Sequence, residues 1–193
     1  MTVATTSILL ISGSTRGAST NTALLRTAQA IAPAGVTATL FAGMTDLPHF
    51  NPDDDPADEA ALAAHPLHPA VVRLRAAIGA ADAVLFCTPE YAGALPGSFK
   101  NLLDWCVGGG ELYEKPVAWI NVSSSGTGAR DAHASLERVL GYLTVHVVAA
   151  CTPIPITRGQ VGADGLIADT AVRERITEVL AALAQHVAGT ARR

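Results

Sequence analysis

Short apolar runs alternate along this chain with segments that carry one apolar face, and this alternation limits the fold most narrowly. Five runs have the length and composition of strands, over residues 7–11, 36–41, 83–88, 117–122 and 145–151. Helical periodicity predicts five helices, over residues 21–32, 70–80, 96–107, 129–143 and 170–188. A chain that alternates strands and helices in this way predicts an α/β protein, with a parallel sheet covered by helices on both faces.

Right-handed crossover connections leave few ways to order the five strands. The second strand lies beside the first and the other three extend from its opposite side, which predicts the doubly wound order 2-1-3-4-5. The ligand crevice of such a sheet opens at the carboxyl ends of strands 1 and 3. Because 193 residues is a usual size for one domain, we expect residues 1–193 to form a single domain.

Composition and charge exclude several classes of protein. The chain is 49% hydrophobic and 16% charged, with a net charge of −4, which argues against general binding to nucleic acid or to anionic membranes. The first residues lack the pattern of a signal peptide, and no apolar run is long enough for a transmembrane helix. We therefore expect a soluble protein in the reducing cytoplasm.

The connection over residues 42–69 is the one long irregular segment in this interpretation. It contains five prolines and the acidic run 53–55. A connection of this length is either a solvated surface excursion or a functional rim of a pocket or partner surface.

The first predicted strand ends in a loop of glycine and hydroxyl residues that leads directly into the first helix. Such a loop directs backbone N–H groups and the positive end of the helix dipole at one point, which suits a phosphate. The candidate phosphate ligands in this loop are the donors Ser12, Ser14, Thr15, Ser19, Thr20 and Asn21, together with the forked cation of Arg16. An ordinary helix cap at Thr20 or Asn21 is the alternative. The loop contains neither Gly-x-Gly-x-x-Gly nor Gly-Lys-Ser/Thr, so the usual dinucleotide and nucleoside-triphosphate motifs are absent.

Loops after the third and fourth strands are expected at the same edge of the sheet. Residues 88–101 contain Pro and Gly turns that leave backbone N–H groups free, and Tyr91 offers an aromatic wall. An ion pair between Glu90 and Lys100 is the alternative to a ligand role for either residue. Residues 121–128 present small and hydroxyl side chains, either as a flexible turn with a helix cap or as part of the same pocket.

Residues that could carry out chemistry by themselves are scarce. There is no pair of carboxylates and no Ser/His/Asp arrangement, and His65 and His68 lack a third ligand nearby, so no metal site is predicted. The chain has three cysteines, an odd number, and they are widely spaced: Cys87, Cys106 and Cys151. This pattern predicts buried free thiols. A pocket with many donors but no nucleophile or base indicates that an organic cofactor performs the reaction.

Taken in order, the loops resemble the NAD(P)H-dependent FMN reductase family, whose flavodoxin-like members include quinone, chromate and azo-dye reductases. The first loop is similar to the signature Gly-Ser-x-Arg-x-x-Ser-x-Asn, matched at Gly13, Ser14, Arg16, Ser19 and Asn21. The second resembles Pro-Glu-Tyr-Asn…Pro-Gly-x-Leu-Lys-Asn-x-x-Asp-Trp, matched at Pro89, Glu90, Tyr91, Pro96, Gly97, Lys100, Asn101, Asp104 and Trp105. The resemblance covers nearly the whole chain. It departs at Ala92, where the family often has Asn, and the loss of this amide is expected to lower flavin affinity.

The resemblance implies FMN as the cofactor and NADPH or NADH as the co-substrate. It assigns the FMN phosphate to the first loop and the isoalloxazine to the other two. The implied ring contacts are Pro89, Glu90, Tyr91, Ala92 and Gly93, with Ser124, Ser125 and Gly126 near the pyrimidine edge. No side chain is assigned a catalytic role, since flavin N5 accepts the hydride. The alternative role for Arg16 is a contact with the 2′-phosphate of NADPH.

The implied reaction is a ping-pong reduction of a quinone, a free flavin or a similar acceptor. The family also implies a homodimer or homotetramer. The alternative function is a flavodoxin-like electron carrier that binds flavin without its own NAD(P)H turnover, although the modest acid excess lacks the strongly acidic face of such carriers. A flavin-free scaffold is a third possibility, favoured only by Ala92.

Overall fold

The computed structural model describes residues 5–56, 59–125 and 128–190, and within them five parallel strands form one sheet. The strands are β1 (Thr6–Ser12), β2 (Val36–Leu40), β3 (Ala83–Cys87), β4 (Pro116–Asn121) and β5 (His146–Pro153). Their order is β2-β1-β3-β4-β5, which confirms the predicted doubly wound sheet. β5 extends two residues beyond its predicted end, and its pairing with β4 changes register on both sides of Ala118.

The described residues form six α-helices. They are α1 (Thr20–Ala30), α2 (Glu59–Ala64), α3 (Pro69–Ala80), α4 (Gly97–Asp104), α5 (Arg130–Tyr142) and α6 (Thr170–Thr190). Successive strand side chains point to opposite faces of the sheet, so each strand contributes to two cores. In β1, Leu9 and Ile11 pack beneath α3, α4 and α5, whereas Ile8 and Leu10 pack beneath α1 and α6. None of the helices in the described ranges is long and apolar enough to cross a membrane.

The connection between β2 and α3 is more regular than the sequence predicts. It contains 3₁₀ turns at Met44–Asp46 and Pro52–Asp54, followed by α2. The sequence of α2, Glu-Ala-Ala-Leu-Ala-Ala, is rich in the strongest helix former, and this propensity prevails between the flanking prolines. The prediction of one irregular segment over residues 42–69 was therefore wrong.

Two side chains near the end of α4 anchor this connection. Asn101 Oδ1 accepts from the N–H of Phe50 at 2.7 Å, and Asn101 Nδ2 donates to the carbonyl of Pro48 at 2.9 Å. The indole N–H of Trp105 donates to the same carbonyl at 2.9 Å. α4 ends at Asp104, three residues earlier than predicted, and the chain continues in tighter turns, with the N–H groups of Cys106 and Val107 donating to the carbonyls three residues before them at 3.1 Å. The hydrogen bonds to Phe50 and Pro48 give Asn101 and Trp105 a structural role.

Candidate active site

Loops that follow β1, β3, β4 and β5 meet at the carboxyl edge of the sheet and enclose a cavity of about 550 Å³, which we call the edge cavity. Its volume lies within the range of small-molecule sites. Its lining residues are Ser14, Arg16, Ala18, Ser19, Thr20, Asn21, Thr88, Pro89, Glu90, Tyr91, Asn121, Val122, Ser123, Ser124, Ala129, Ile156, Thr157 and Arg158.

Hydroxyl groups hold the loop after β1 in a fixed shape. The side chain of Ser12 contacts that of Thr22 at 2.8 Å and accepts from the N–H of Ser14 at 3.2 Å. Ser19 is the N-cap of α1, since its Oγ accepts from the N–H of Thr22 at 3.4 Å. The alternative of a cap at Thr20 or Asn21 was therefore wrong. Ser14 and Ser19 are both buried, so both ends of the loop are held, whereas Arg16, Gly17 and Ala18 between them are exposed.

The same loop presents several unoccupied hydrogen-bond donors. Across residues 5–56, 59–125 and 128–190, the backbone N–H groups of Gly17 and Ala18 have no acceptor. The N–H groups of Thr20 and Asn21 belong to the first turn of α1, where helical amides lack an intrahelical partner. Arg16 is exposed beside them and has no described carboxylate within 4.0 Å. Amides, hydroxyls and a guanidinium form a donor set that fits a phosphate.

Contact between the first two loops requires a glycine at position 13. A Cβ atom on Gly13 would lie 2.1 Å from Oγ1 of Thr88, far inside van der Waals contact. The N–H of Gly13 also donates to the carbonyl of Cys87 at 2.8 Å. Because a larger residue would force these loops apart, Gly13 permits their close approach beside Thr88, which lines the edge cavity.

Asn21 links α1 to the end of β3. It is buried, and its Oδ1 accepts from the thiol of Cys87 at 3.2 Å. Burial raises the pKa of the Cys87 thiol, so this group is a neutral donor. Burial also raises the pKa of Cys106 to about 12, with a smaller contribution from the charge of Glu111. Both thiols are free and buried, as predicted, and the side chain of Cys151 lies outside the described part.

Glu90 caps a helix in the structure. Its Oε2 accepts from the N–H groups of Asp131 at 2.9 Å and Ala132 at 3.0 Å, at the start of α5. The residue before α5, Ala129, has φ +61° and no side-chain cap, so Glu90 supplies the missing acceptor. Lys100 pairs instead with Asp104 on the next turn of α4. The alternative of an ion pair between Glu90 and Lys100 was therefore wrong.

Residues 91–94 form a tight turn beside the edge cavity. The N–H and carbonyl groups of Tyr91 and Ala94 are joined by two hydrogen bonds of 3.1 Å, and φ is +51° at Ala92 and +72° at Gly93. Asn-Gly is the favoured pair for such a turn, because both central residues have positive φ. The Tyr91 side chain is half exposed and lines the cavity, whereas Ala92 and Gly93 lie outside its lining.

Asn121 organises the loop after β4, a role that sequence reasoning missed. Its Oδ1 accepts from the N–H of Ser123 at 2.9 Å, and its Nδ2 donates to the carbonyl of Gly128 at 3.0 Å. Ser123 and Ser124 line the edge cavity, and Ser125 does not. Gly126, which was also predicted as a ligand, lies outside the described residues.

The loop after β5 closes the fourth side of the cavity and was not predicted. Ile154 and Ile156 donate backbone hydrogen bonds to the carbonyls of Asn121 and Val122, at 2.9 and 3.0 Å. These bonds carry the chain past the end of β4 and bring Thr157 and Arg158 to the cavity. The available signal was that the carboxyl ends of all parallel strands meet at one edge of the sheet.

One of the two histidines considered as metal ligands caps a helix instead. His68 Nδ1 accepts from the N–H of Ala70 at 3.2 Å and caps α3. Within the described ranges, no three His, Cys, Asp or Glu side chains are grouped for a metal ion.

Fold and site together define the class: a flavodoxin-like α/β protein whose ligand cavity lies at the β1 and β3 switch point and carries a phosphate-suited loop. The chain belongs to the NADPH-dependent FMN reductase family, whose model matches residues 6–156. This confirms the predicted family and its class, FMN- and NAD(P)H-dependent oxidoreductases.

Individual relatives agree with this membership. An NAD(P)H-dependent FMN reductase of Pseudomonas aeruginosa is 35% identical over 91% of this chain and 92% of its own length. A quinone reductase of Escherichia coli K12 is 32% identical over 73% of this chain and 72% of its own. The structure of FerB, a flavoenzyme NAD(P)H:(acceptor) oxidoreductase of Paracoccus denitrificans, matches with a TM-score of 0.75 and 28% identity, covering 95% of this chain and 98% of FerB.

Proposed function

We propose that this protein is an NAD(P)H-dependent, FMN-containing reductase of quinones, flavins or similar acceptors, with a ping-pong order of substrates. The observation that carries the proposal is the edge cavity, which has Arg16 and two buried serines at the β1 loop and an exposed aromatic ring at the β3 loop. The quinone reductase activity of the Escherichia coli relative supports the class of acceptor.

The phosphate of FMN binds the loop after β1 in this proposal. Arg16 supplies a forked cation, and the buried hydroxyls of Ser14 and Ser19 lie beside it. The first amides of α1, at Thr20 and Asn21, add hydrogen bonds and the positive end of the helix dipole. Since the loop is already held by Ser12 and Thr22, binding needs little reorganisation.

The ring system lies toward Pro89, Tyr91 and Ser124 in the same proposal, because these residues bring the loops after β3 and β4 into the lining of the cavity. Glu90 acts indirectly, since its carboxylate already caps α5 and fixes the loop from which Tyr91 projects. The predicted contacts of Ala92, Gly93, Ser125 and Gly126 with the ring stay predictions.

When bound, FMN supplies a redox centre that accepts hydride from NAD(P)H and delivers electrons to the acceptor. The described lining has no group activated as a nucleophile, so the residues of this chain bind and orient the reactants. In the proposed ping-pong order, the half-exposed Tyr91 would border a binding position that both reactants use in turn, so the oxidised nicotinamide would leave before the acceptor binds.

The predicted homodimer or homotetramer is part of this proposal. Val107, Tyr113 and Tyr142 expose 63%, 61% and 87% of their surface, which leaves apolar area available for contact between subunits. Light scattering coupled to size-exclusion chromatography is expected to give two or four times the chain mass of 19.8 kDa. A monomer at micromolar concentration would contradict the proposed homo-oligomer but not the proposed reaction.

Titration with FMN and with riboflavin tests the phosphate site. Arg16→Ala removes the cation and is expected to raise the Kd for FMN about tenfold, with less than about a twofold change for riboflavin. Arg138→Ala, at an exposed site on α5 outside the lining of the edge cavity, is the matched control and should leave the Kd for both flavins unchanged. Absence of binding of either flavin to the wild-type protein would overturn the proposed function.

Turnover requires a separate experiment. FMN-loaded protein is expected to bleach in anaerobic stopped flow when mixed with NADPH or NADH, and to recolour on addition of a quinone. Initial rates at several quinone concentrations should give parallel double-reciprocal lines. Flavin binding without NAD(P)H oxidation is what an electron carrier predicts, and it would replace the proposal.

A further inference from the structure

A second cavity of about 330 Å³ lies beside the edge cavity, between α1 and the hairpin of residues 161–167. The hairpin is closed by an antiparallel bridge between Val161 and Ile167 and by a hydrogen bond of 2.8 Å from Gly162 N–H to the carbonyl of Leu166. We call this space the α1–hairpin cleft. Its volume is near the lower end of the range for ligand-binding sites, so the cleft fits either a small ligand or one part of a larger ligand.

The two walls of the cleft are fixed to each other. Ile167 is fully buried, and its N–H donates to the hydroxyl of Thr27 on α1 at 2.9 Å. That hydroxyl in turn donates to the carbonyl of Ala23, one turn earlier on the helix, at 2.8 Å. The cleft is therefore a built feature of the fold, with a width that a buried hydrogen bond sets.

Two arginines line the cleft, one from each side. Arg26 extends from α1 to the tip of the hairpin, where its Nη1 lies 3.4 Å from the position of a Cβ on Gly165. Arg158 begins the 3₁₀ turn after β5, which Thr157 and Gln160 hold through hydrogen bonds of 2.8 and 3.1 Å. The geometry thus places two guanidinium groups at one small cleft.

Neither guanidinium is neutralised within the described structure. Arg26 and Arg158 have no carboxylate within 4.0 Å there, and the described lining of the cleft contains no acidic residue. Asp164, at the hairpin tip, accepts from the N–H of Leu166 at 3.0 Å and closes the turn. In a chain of net charge −4, a local excess of positive charge of this kind favours an anionic ligand.

The cleft and the edge cavity are adjacent. They share Ala18, Ser19, Thr20 and Arg158 in their linings, so they are separated only by the end of the β1 loop and the start of α1. Ser19 and Thr20 are assigned to the FMN phosphate in the proposed function, so a molecule whose reacting end lies near Tyr91 would reach Arg26 along the Arg158 side of the opening.

We propose that the α1–hairpin cleft binds the 2′-phosphate of the adenosine half of NADPH, with Arg26 and Arg158 as its ligands. This inference rests on the proposed function, because it places the nicotinamide half in the edge cavity. A phosphate monoester carries nearly two charges and several acceptor oxygens, which match two forked cations. NADH lacks this group, so the cleft makes the protein select NADPH.

The test uses FMN-loaded protein and compares NADPH with NADH. Arg26→Ala is expected to raise KM for NADPH about tenfold while KM for NADH changes less than about twofold. Ala163→Glu adds a carboxylate at the exposed wall of the cleft and should act in the same direction. Arg138→Ala, on α5, is the control and should leave the NADPH to NADH ratio unchanged.

Calorimetry supplies a readout independent of turnover. Adenosine 2′,5′-bisphosphate should bind wild-type FMN-loaded protein, whereas adenosine 5′-monophosphate should bind at least about tenfold more weakly, and Arg26→Ala should abolish this difference. Equal binding of the two probes, or an unchanged NADPH to NADH ratio in Arg26→Ala, would overturn the inference and leave the proposed function standing.

The phosphate of FMN is the other source of the same chemistry. If Arg26→Ala weakens FMN binding about tenfold, leaves riboflavin binding unchanged and does not affect adenosine 2′,5′-bisphosphate, the cleft serves the cofactor and the inference fails. Flavin binding without oxidation of either nucleotide would remove the proposed function together with the inference.

Discussion

Glu90 and Ala132 are joined by a hydrogen bond of 3.0 Å from the backbone N–H of Ala132 to Oε2 of Glu90, although 41 residues separate them. The bond connects the loop after β3 to the start of α5, whose own preceding residue, Ala129, offers no side-chain cap. A carboxylate at a helix N-terminus also interacts favourably with the helix dipole. One residue of the second signature therefore fixes the β3 loop against α5.

Removing this cap should destabilise the flavin-free protein. We expect Glu90→Ala to lower the free energy of unfolding by about 1–2 kcal/mol, and Glu90→Gln, which keeps an acceptor but loses the charge, by about half as much. Urea denaturation measures both. Glu137→Ala, at an exposed site on α5, is the control and should change stability by less than about 0.5 kcal/mol. An equal loss of stability in Glu90→Ala and Glu137→Ala would contradict the role of Glu90 as a helix cap.

Ala92 has a backbone conformation that suits Asn or Gly better. Its φ of +51° costs a residue with a Cβ about 1 kcal/mol, a penalty that Asn largely avoids through local hydrogen bonds. We expect Ala92→Asn to raise the free energy of unfolding by about 1 kcal/mol, and Ala92→Val to lower it, because β-branched residues tolerate positive φ worst. Thermal unfolding of the three proteins checks the order Asn, Ala, Val, and any other order would refute this account.

A methyl group at position 13 should push the first two loops apart. Gly13→Ala places Cβ 2.1 Å from Oγ1 of Thr88 and is expected to cost about 1–3 kcal/mol of stability. Gly17→Ala is the matched substitution in the same loop, where a Cβ has nothing within 4 Å. It should change the free energy of unfolding by less than about 1 kcal/mol. Similar losses at the two glycines would show that the contact with Thr88 is not the cause.

The anchor of the β2–α3 connection can be tested at Asn101. Asn101→Ala removes the acceptor of the Phe50 N–H and one donor to the Pro48 carbonyl, which should cost about 1–3 kcal/mol. Hydrogen exchange of the Phe50 amide should become faster at the same time. Asn51→Ala, which removes only a local contact to the N–H of Asp53, should leave the Phe50 exchange rate unchanged.

His133 should make the protein less stable in acid. It is buried, neither ring nitrogen has a described hydrogen-bond partner, and burial lowers its pKa, opposed by the charge of Glu90. The unfolded chain therefore takes up a proton at a pH near 6.5 that the folded chain does not, so stability falls as the pH drops below about 6.5.

The variant His133→Leu isolates this effect. It keeps an apolar side chain in the core and removes the titrating group, so its stability should decrease less than that of the wild type between pH 7 and pH 5. Urea denaturation at several pH values gives both slopes. His65→Leu, at an exposed site, should keep the wild-type slope, and parallel curves for His133→Leu and wild type would refute the prediction.

The order of the strands and the phosphate-suited loop could be predicted because both depend on local patterns. Alternating strands and helices with right-handed crossovers leave few possible strand orders. The predicted order brings the loops after β1 and β3 together. The β5 loop illustrates what this reasoning did not include. Its hydrogen bonds with Asn121 and Val122 direct Arg158 toward the cavity, and no pattern within residues 154–158 encodes them.

The sequence alone determined the family, the order of the strands and the edge of the sheet that binds the ligand. Each of these depends on motifs and on an alternation of strands and helices that are visible along the chain. Only the tertiary structure decided that Glu90 caps α5, that Ala92 completes a turn and that Arg26 and Arg158 face one cleft. The physical reason is that hydrogen bonds and charges act over a few ångströms in space. Which distant residues come that close is determined by the packing of all the helices and loops together.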